Sequence, residues 1–230
     1  SSLSTLIKEF VFSSTQAYIL EFGNQYCRFV KDGAQIESGG SPVELTTTYL
    51  TADLFNLRFA QSADTLYITH TGYPVRKITR TSDTAWSITN VTFSDGPFLK
   101  TNVSTTTLGL SATTGSVTVT ASAATAINGG SGFLTTDIGR QIRWEDAAGN
   151  WTFLTITARA STTSVTATID GPDASATTAT TVWRLGLYST NTGYPATVAF
   201  HQNRLAFGGP LQDPLRYDMS RTGDFENMAP

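Results

Sequence analysis

Cysteine, methionine and histidine are nearly missing from this chain of 230 residues, which has one Cys, two Met and two His. A single cysteine, Cys27, excludes an internal disulfide framework and any cysteine-rich zinc site. It reads as a half-buried thiol within a strand. The two histidines, His70 and His201, have no short-spaced companions of the His-Glu-x-x-His kind, so no metal site is expected. Charge is sparse too, with Asp, Glu, Lys and Arg making up 14% of the chain and a net charge of −3. That balance supplies no broad basic surface to hold a nucleic acid by counterion release. No run of about 18 apolar residues occurs, so no membrane-spanning segment is expected. The N-terminus also lacks the basic, apolar, small-residue order of a secretory signal.

What is abundant is Thr, Ser, Ala and Gly, a bias that suits extended strands and disfavours surface helices. One phrase occurs three times: a strand ending in Phe, a short polar turn, then a second strand. It reads Phe10-Val11-Phe12, Ser13 to Gln16, Tyr18 to Gly23; then Leu57-Arg58-Phe59, Ala60 to Asp64, Leu66 to His70; and last Val198-Ala199-Phe200, His201 to Arg204, Leu205 to Gly209. The first two copies are separated by roughly 40 to 50 residues, the period of a propeller blade made of short strands.

The third copy comes much later, after a segment whose composition shifts to Thr, Ser and Ala. These features predict an all-β chain: a partial β-propeller of blade-like antiparallel sheets with an inserted small β-barrel or β-sandwich domain. The expected divisions are 1–96 for blade segments, 97–184 for the insertion and 185–230 for the return. Both ends read as mid-stream, so a piece of a longer protein is expected.

Within the first part, Phe22 to Gln25 and Lys31-Asp32-Gly33 mark reversals, Asp-Gly supplying the positive φ of a tight hairpin. Alternation puts Tyr26 and Arg28 on one face and Cys27 and Phe29 on the other. Thr51 to Phe55 reads as one helical turn capped by Thr51. Four strands, starting at Leu57, Leu66, Val75 and Trp86, have the number one blade requires. The insertion carries six β-branched runs, starting at Thr105, Ser116, Gln141, Trp151, Ser164 and Thr180.

Chemistry is thinly signalled. No Gly-x-Ser-x-Gly elbow occurs, and Cys27 has no local base. The run Asn128-Gly129-Gly130-Ser131-Gly132 lacks the Lys-Ser or Lys-Thr of a phosphate loop and reads as a flexible hairpin tip. Asp53, Asp64, Glu145, Asp146, Asp170 and Asp173 are nominal carboxylates for glycoside hydrolysis, although Asp64, Asp170 and Asp173 lie where turns favour Asp. Trp144 and Trp151 flank a hairpin and are candidate glycan contacts, although burial in the core or at an edge is the favoured reading for both. Arg204 interrupts an apolar stretch and reads as a partly buried clamp between blades or subunits, with His201 and His70 in comparable strand-end positions. No catalytic, cofactor-binding or metal-binding residue is assigned, and no cofactor. The sequons at Asn90, Asn102 and Asn150 carry no meaning without a secretory route.

Gln61 to Asp64, Leu66 to His70, Tyr73-Pro74, Gly193-Tyr194-Pro195, Phe200 to Gly209 and Ser220 to Phe225 together resemble the tail nozzle proteins of short-tailed bacteriophages, also called tail tubular protein B. The resemblance covers roughly residues 6–93 and 185–230. It implies a non-enzymatic virion tail component assembled in the bacterial host cytoplasm, a ring expected to hold six copies around the DNA-exit channel. It also implies contacts with the tail adaptor protein and with tail fibres or spikes, and transient, non-specific passage of DNA. Members of that family are much longer than this chain. Two other functions stay open, a carbohydrate- or receptor-binding module using Trp144 and Trp151, and a tail-associated glycan hydrolase.

Overall fold

A computed structural model describes residues 4–13 and 15–229. Ser14 of the expected Ser13 to Gln16 turn lies outside the described residues, as do Ser1 to Leu3 and Pro230 at the ends of the expected segments. The chain is all-β, with 48% strand and 4% helix, and one sheet curls as half a barrel. It divides into two compact units, Ser1–Val91 with Tyr194–Tyr217, and Thr92–Gly193 with Asp218–Pro230. The divisions thus fall at 91/92 and 193/194 where 96/97 and 184/185 were expected, and residues 218–230 join the second unit.

The first unit opens with the meander β1 (Leu6–Ser13), β2 (Gln16–Gly23) and β3 (Tyr26–Lys31), all antiparallel. Asp32 (φ 53°) and Gly33 (φ 80°) make the two-residue reversal that the Asp-Gly pair predicts. The far edge of β3 is shared by β4 (Ala34–Gln35) and β7 (Glu44–Thr46), with the short hairpin β5 (Glu37–Ser38) and β6 (Ser41–Pro42) between them. In β3 the alternation holds: Cys27 and Phe29 are buried, while Arg28 on the other face pairs with Glu44 at 2.7 Å and lies over the Tyr26 ring. Cys27 is fully buried rather than half-buried, because its face of β3 is the core face. Burial pushes its thiol well above the usual range, with Glu21 and Glu44 adding to the effect.

Leu54–Asn56 forms a single 3-10 turn. Thr51 does not cap it. The Leu50 N–H instead donates to Asp53 Oδ2 at 2.9 Å, and the Thr51 hydroxyl donates to Asn24. A second meander follows: β8 (Arg58–Ser62), β9 (Thr65–His70), β10 (Tyr73–Arg80) and β11 (Trp86–Asn90), four strands in sequence order. Tyr18, Leu20 and Phe22 of β2 join Phe29, Leu66, Ile68 and Ile78 in one apolar cluster. Full burial of each aliphatic side chain contributes about 1.5–3 kcal/mol. Trp86 completes this core, stacked on Phe29 with centroids 4.1 Å apart and edge-on to Phe10 and Tyr18.

The second unit is built on one antiparallel sheet in the order β12 (Leu108–Leu110), β13 (Ser116–Ala121), β16 (Ser164–Ile169), β15 (Trp151–Arg159), β14 (Gln141–Glu145) and β17 (Trp183–Leu185). All six β-branched runs of the sequence become strands, and their alternate residues fill a core of their own that includes Val119, Trp144, Leu154, Val165 and Trp183. The opposite face carries Thr118, Thr155, Thr166 and Thr168. The outer edge of β12 is not bare: Leu108 exchanges backbone hydrogen bonds with Thr180, and the Leu110 N–H reaches Thr177.

After Gly193 the chain returns to the first unit as β18 (Thr197–His201) and β19 (Arg204–Gly208), turned through Gln202 (φ 48°) and Asn203 (φ 57°). Both faces of β9 are therefore dry. Leu66 and Ile68 face the core, and Tyr67 on the other side meets Phe200 of β18 edge-on at 6.0 Å.

Gly132 adopts φ +71°, and a Cβ there would lie 2.3 Å from the Thr162 carbonyl oxygen, whereas one at Gly33 (φ +80°) would meet nothing. Gly132→Ala is expected to cost about 1–3 kcal/mol and clearly more than Gly33→Ala. Urea denaturation measures both, and equal costs would contradict the close approach.

Candidate functional site

Among the described residues the chemistry-bearing side chains fall into several separate clusters. In the first unit, Asp83 of the β10–β11 turn accepts from Lys31 Nζ at 2.8 Å, from the Tyr18 hydroxyl, and from Arg80 Nη2 at 3.1 Å. Arg80 also pairs with Asp64 at 3.1 Å, donates to Gln16 and lies over the rings of Phe12 and Tyr18. The bonds from Lys31, then those from Tyr18 and Arg80, hold the Asp83 carboxyl well below the usual carboxylate range. Through Tyr18, Lys31 and Arg80 the cluster ties β2, β3 and β10 together.

His70 and His201 hold like positions, each the last strand residue before a two-residue turn, paired across it with Tyr73 and Arg204. Their surroundings differ. His70 is largely buried: its Nδ1 accepts the Gly72 N–H at 3.0 Å, and its Nε2 lies 3.9 Å from Asp53 Oδ1. Asp53 Oδ2 in turn accepts from the Tyr73 hydroxyl at 2.6 Å. Burial lowers the His70 pKa more than Asp53 raises it, which keeps the imidazole neutral at pH 7. Burial alone would raise Asp53, but the hydrogen bonds from Tyr73 and Leu50 outweigh it and set the carboxyl below its ordinary value. His201 and Arg204 are exposed at the β18–β19 tip. The partly buried arginine expected from sequence is corrected here, because alternation in β19 turns Leu205 and Phe207 inward and leaves Arg204 at the mouth of the turn.

In the second unit, Trp144 is fully buried and its Nε1–H donates to the Leu108 carbonyl at 2.9 Å. It cannot meet a glycan, since β14 turns it into the core. Trp151 is half-buried on the opposite face, with the guanidinium groups of Arg143 and Arg184 at 5.1 and 5.0 Å from its ring centroid. The loop Asn128 to Gly132 is not a hairpin tip. Asn128–Gly130 is a 3-10 turn, and the Asn128 side chain bonds Gly132, Asp137 and Arg140. Asp137 and Arg140 form a buried ion pair at 2.9 Å, and Arg140 Nε also reaches the Gly186 carbonyl.

The remaining nominal carboxylates are held apart by unit and by role. Asp53 and Asp64 are tied to Tyr73 and Arg80 in the first unit. Asp146 closes its own hairpin turn by accepting from Ala148, Asn150 and Ser175, and these bonds, Ser175 first, lower its pKa far below the ordinary value. Asp170 and Asp173 are exposed in a turn, and Glu145 is half-buried at the end of β14. Among the described residues no group of three or more His, Cys, Asp or Glu is placed to hold a metal ion, and no helix is long and apolar enough to cross a membrane.

Reasoning from sequence passed over Arg80, Arg140, Arg143 and Arg184. For the last two a signal was present, since Arg143-Trp144 and Trp183-Arg184 are strand neighbours and alternation must put the tryptophans on one face and the arginines on the other. The chain matches no known protein family and no curated protein.

Asp83 supplies a pH test. Its folded pKa lies below the unfolded value of about 3.9, so its contribution is present above that value and is lost as pH falls through the folded one. Asp83→Asn is expected to lower stability at pH 7 by about 1 kcal/mol, given its partial exposure. Stability of the variant should also fall less steeply than wild type below about pH 4. Parallel acid-unfolding curves would contradict this role.

Proposed function

We propose that the chain is a structural component of the tail of a short-tailed phage or prophage. In this reading it is part of the nozzle ring around the DNA-exit channel and contacts the adaptor and fibre proteins. The observation that carries it is the recurrence of one hairpin. All three copies of the repeated phrase fold as antiparallel pairs, β1–β2, β8–β9 and β18–β19, and all three lie in the same compact unit although the bulk of the second unit separates the last two in sequence.

The four-stranded meander β8 to β11 has the size of one propeller blade, and the flanking hairpins supply parts of others. A complete ring of blades would draw on a longer chain. The second unit is then the inserted small barrel or sandwich, with β12 held along its outer edge by Thr177 and Thr180.

The polar clusters favour architecture over chemistry in this reading. Asp53, Asp64, Asp83 and Asp146 each accept bonds from their own unit. His70 is an internal strut in this reading, and His201 and Arg204 at the exposed β18–β19 tip are the clamp toward a neighbouring blade or subunit. A net charge of −3 suits a channel from which DNA slides instead of sticking.

Electron microscopy of the protein mixed with its adaptor tests the assignment. Six-membered rings stacked on the adaptor are expected, and dispersed single particles at all ratios would contradict it.

A further inference from the structure

On the outer face of the second unit's sheet, Arg143, Arg184 and Trp151 form a cluster whose hydrogen-bonding capacity the chain leaves largely unused. Alternation turns both arginines outward, and the β14–β17 register sets them directly opposite each other. Like charges so placed repel. Stacking on the Trp151 ring, about 5 Å from each guanidinium, offsets part of that.

One carboxylate answers them. Asp95 Oδ1 lies 3.5 Å from Arg143 Nη1, close enough for an ion pair, yet neither atom makes a hydrogen bond. Glu145, opposite Trp151 in the register, forms an ion pair with neither arginine among the described residues. Arg184 has no acidic partner among them either, and its Nε is buried without a hydrogen-bond acceptor. A desolvated donor left unsatisfied is costly, of order 1–3 kcal/mol. Arg184 Nε is closed to a ligand, but the terminal nitrogens of the guanidinium held beside the Trp151 ring bond no acceptor among the described residues and suit a bidentate oxyanion.

We propose that this face binds a carboxylate-bearing sugar, a uronic acid unit of an acidic polysaccharide. The carboxylate sits on Arg184 with Arg143 beside it. The C–H face of the sugar ring lies along Trp151 and Phe153, alternate residues on the same side of β15, and the Thr155 hydroxyl continues that row. A nucleic acid fits less well, because its phosphates are held by many cations along the strand, and here two arginines stand on a chain of net charge −3. The site is independent of the tail assignment, and either can fail alone.

The test is an NMR titration of the whole chain at low ionic strength with tri-galacturonate, its neutral methyl ester and inorganic phosphate. Tri-galacturonate is expected to shift the Trp151 indole N–H while those of Trp144 and Trp183, bonded to Leu108 and Thr106 carbonyls, stay in place. The methyl ester and phosphate should bind at least about tenfold more weakly, as should tri-galacturonate to Arg184→Gln. Arg184→Lys, which keeps the charge but loses the fork, is expected to lose most of the affinity with an unchanged melting temperature. The proposal is overturned by no binding, by equal binding of ester or phosphate, or by full affinity in both Arg184 variants.

Discussion

The longer strands of this protein share one constraint: residues two apart share a face, and each large sheet keeps a face dry. With few charged side chains and only short 3-10 turns as helix among the described residues, the fold rests on its sheets. Tyr18, Leu20 and Phe22 on β2, Cys27 and Phe29 on β3, and Trp144 with Leu154 and Ile156 in the second unit all follow from it. A one-residue slip in any of these strands would turn its whole apolar row into water, so register and core are set together.

The same constraint decides where the scarce charges act. Arg80 lies at the end of β10, where it can turn toward Asp64 and Asp83 and close the sheet end with a network of hydrogen bonds. Arg140 precedes β14 and is neutralised by Asp137 in a buried ion pair. Arg143 and Arg184 occupy strand positions whose outward direction is forced by the tryptophans beside them, and among the described residues Asp95 is the one carboxylate within ion-pair distance of either. Arginines of the first kind hold the fold. Those of the second kind lie on the sheet face turned away from the core.

Much of the fold was legible because its signals are local. Asp32-Gly33, the alternation in Tyr26 to Phe29 and the six short β-runs of the second unit each act over a few residues, and each appears in the structure where the sequence puts it. What was not legible depends on contacts distant in sequence. Asn128 to Gly132 reads as a flexible tip until Asp137 and Arg140 fold back on it. Arg204 reads as partly buried because it interrupts an apolar stretch, yet the turn beside it exposes it. The Trp144 and Trp151 pair looked like one feature, but an odd separation across a hairpin turn sent them to opposite faces. The carboxylates' partners, Tyr73, Arg80 and Ser175, lie from 16 to 29 residues away from them.

Two units with separate cores, one interrupting the other in sequence, form the frame on which the functional readings rest. Amide hydrogen exchange on the whole chain with Leu20→Ala tests that frame most directly. The substitution removes a fully buried side chain from the first core only. The expected result is faster exchange in β1 to β3, β8 to β11 and β18 to β19, with β12 to β17 unchanged. Equal acceleration in all strands would contradict two separately held cores.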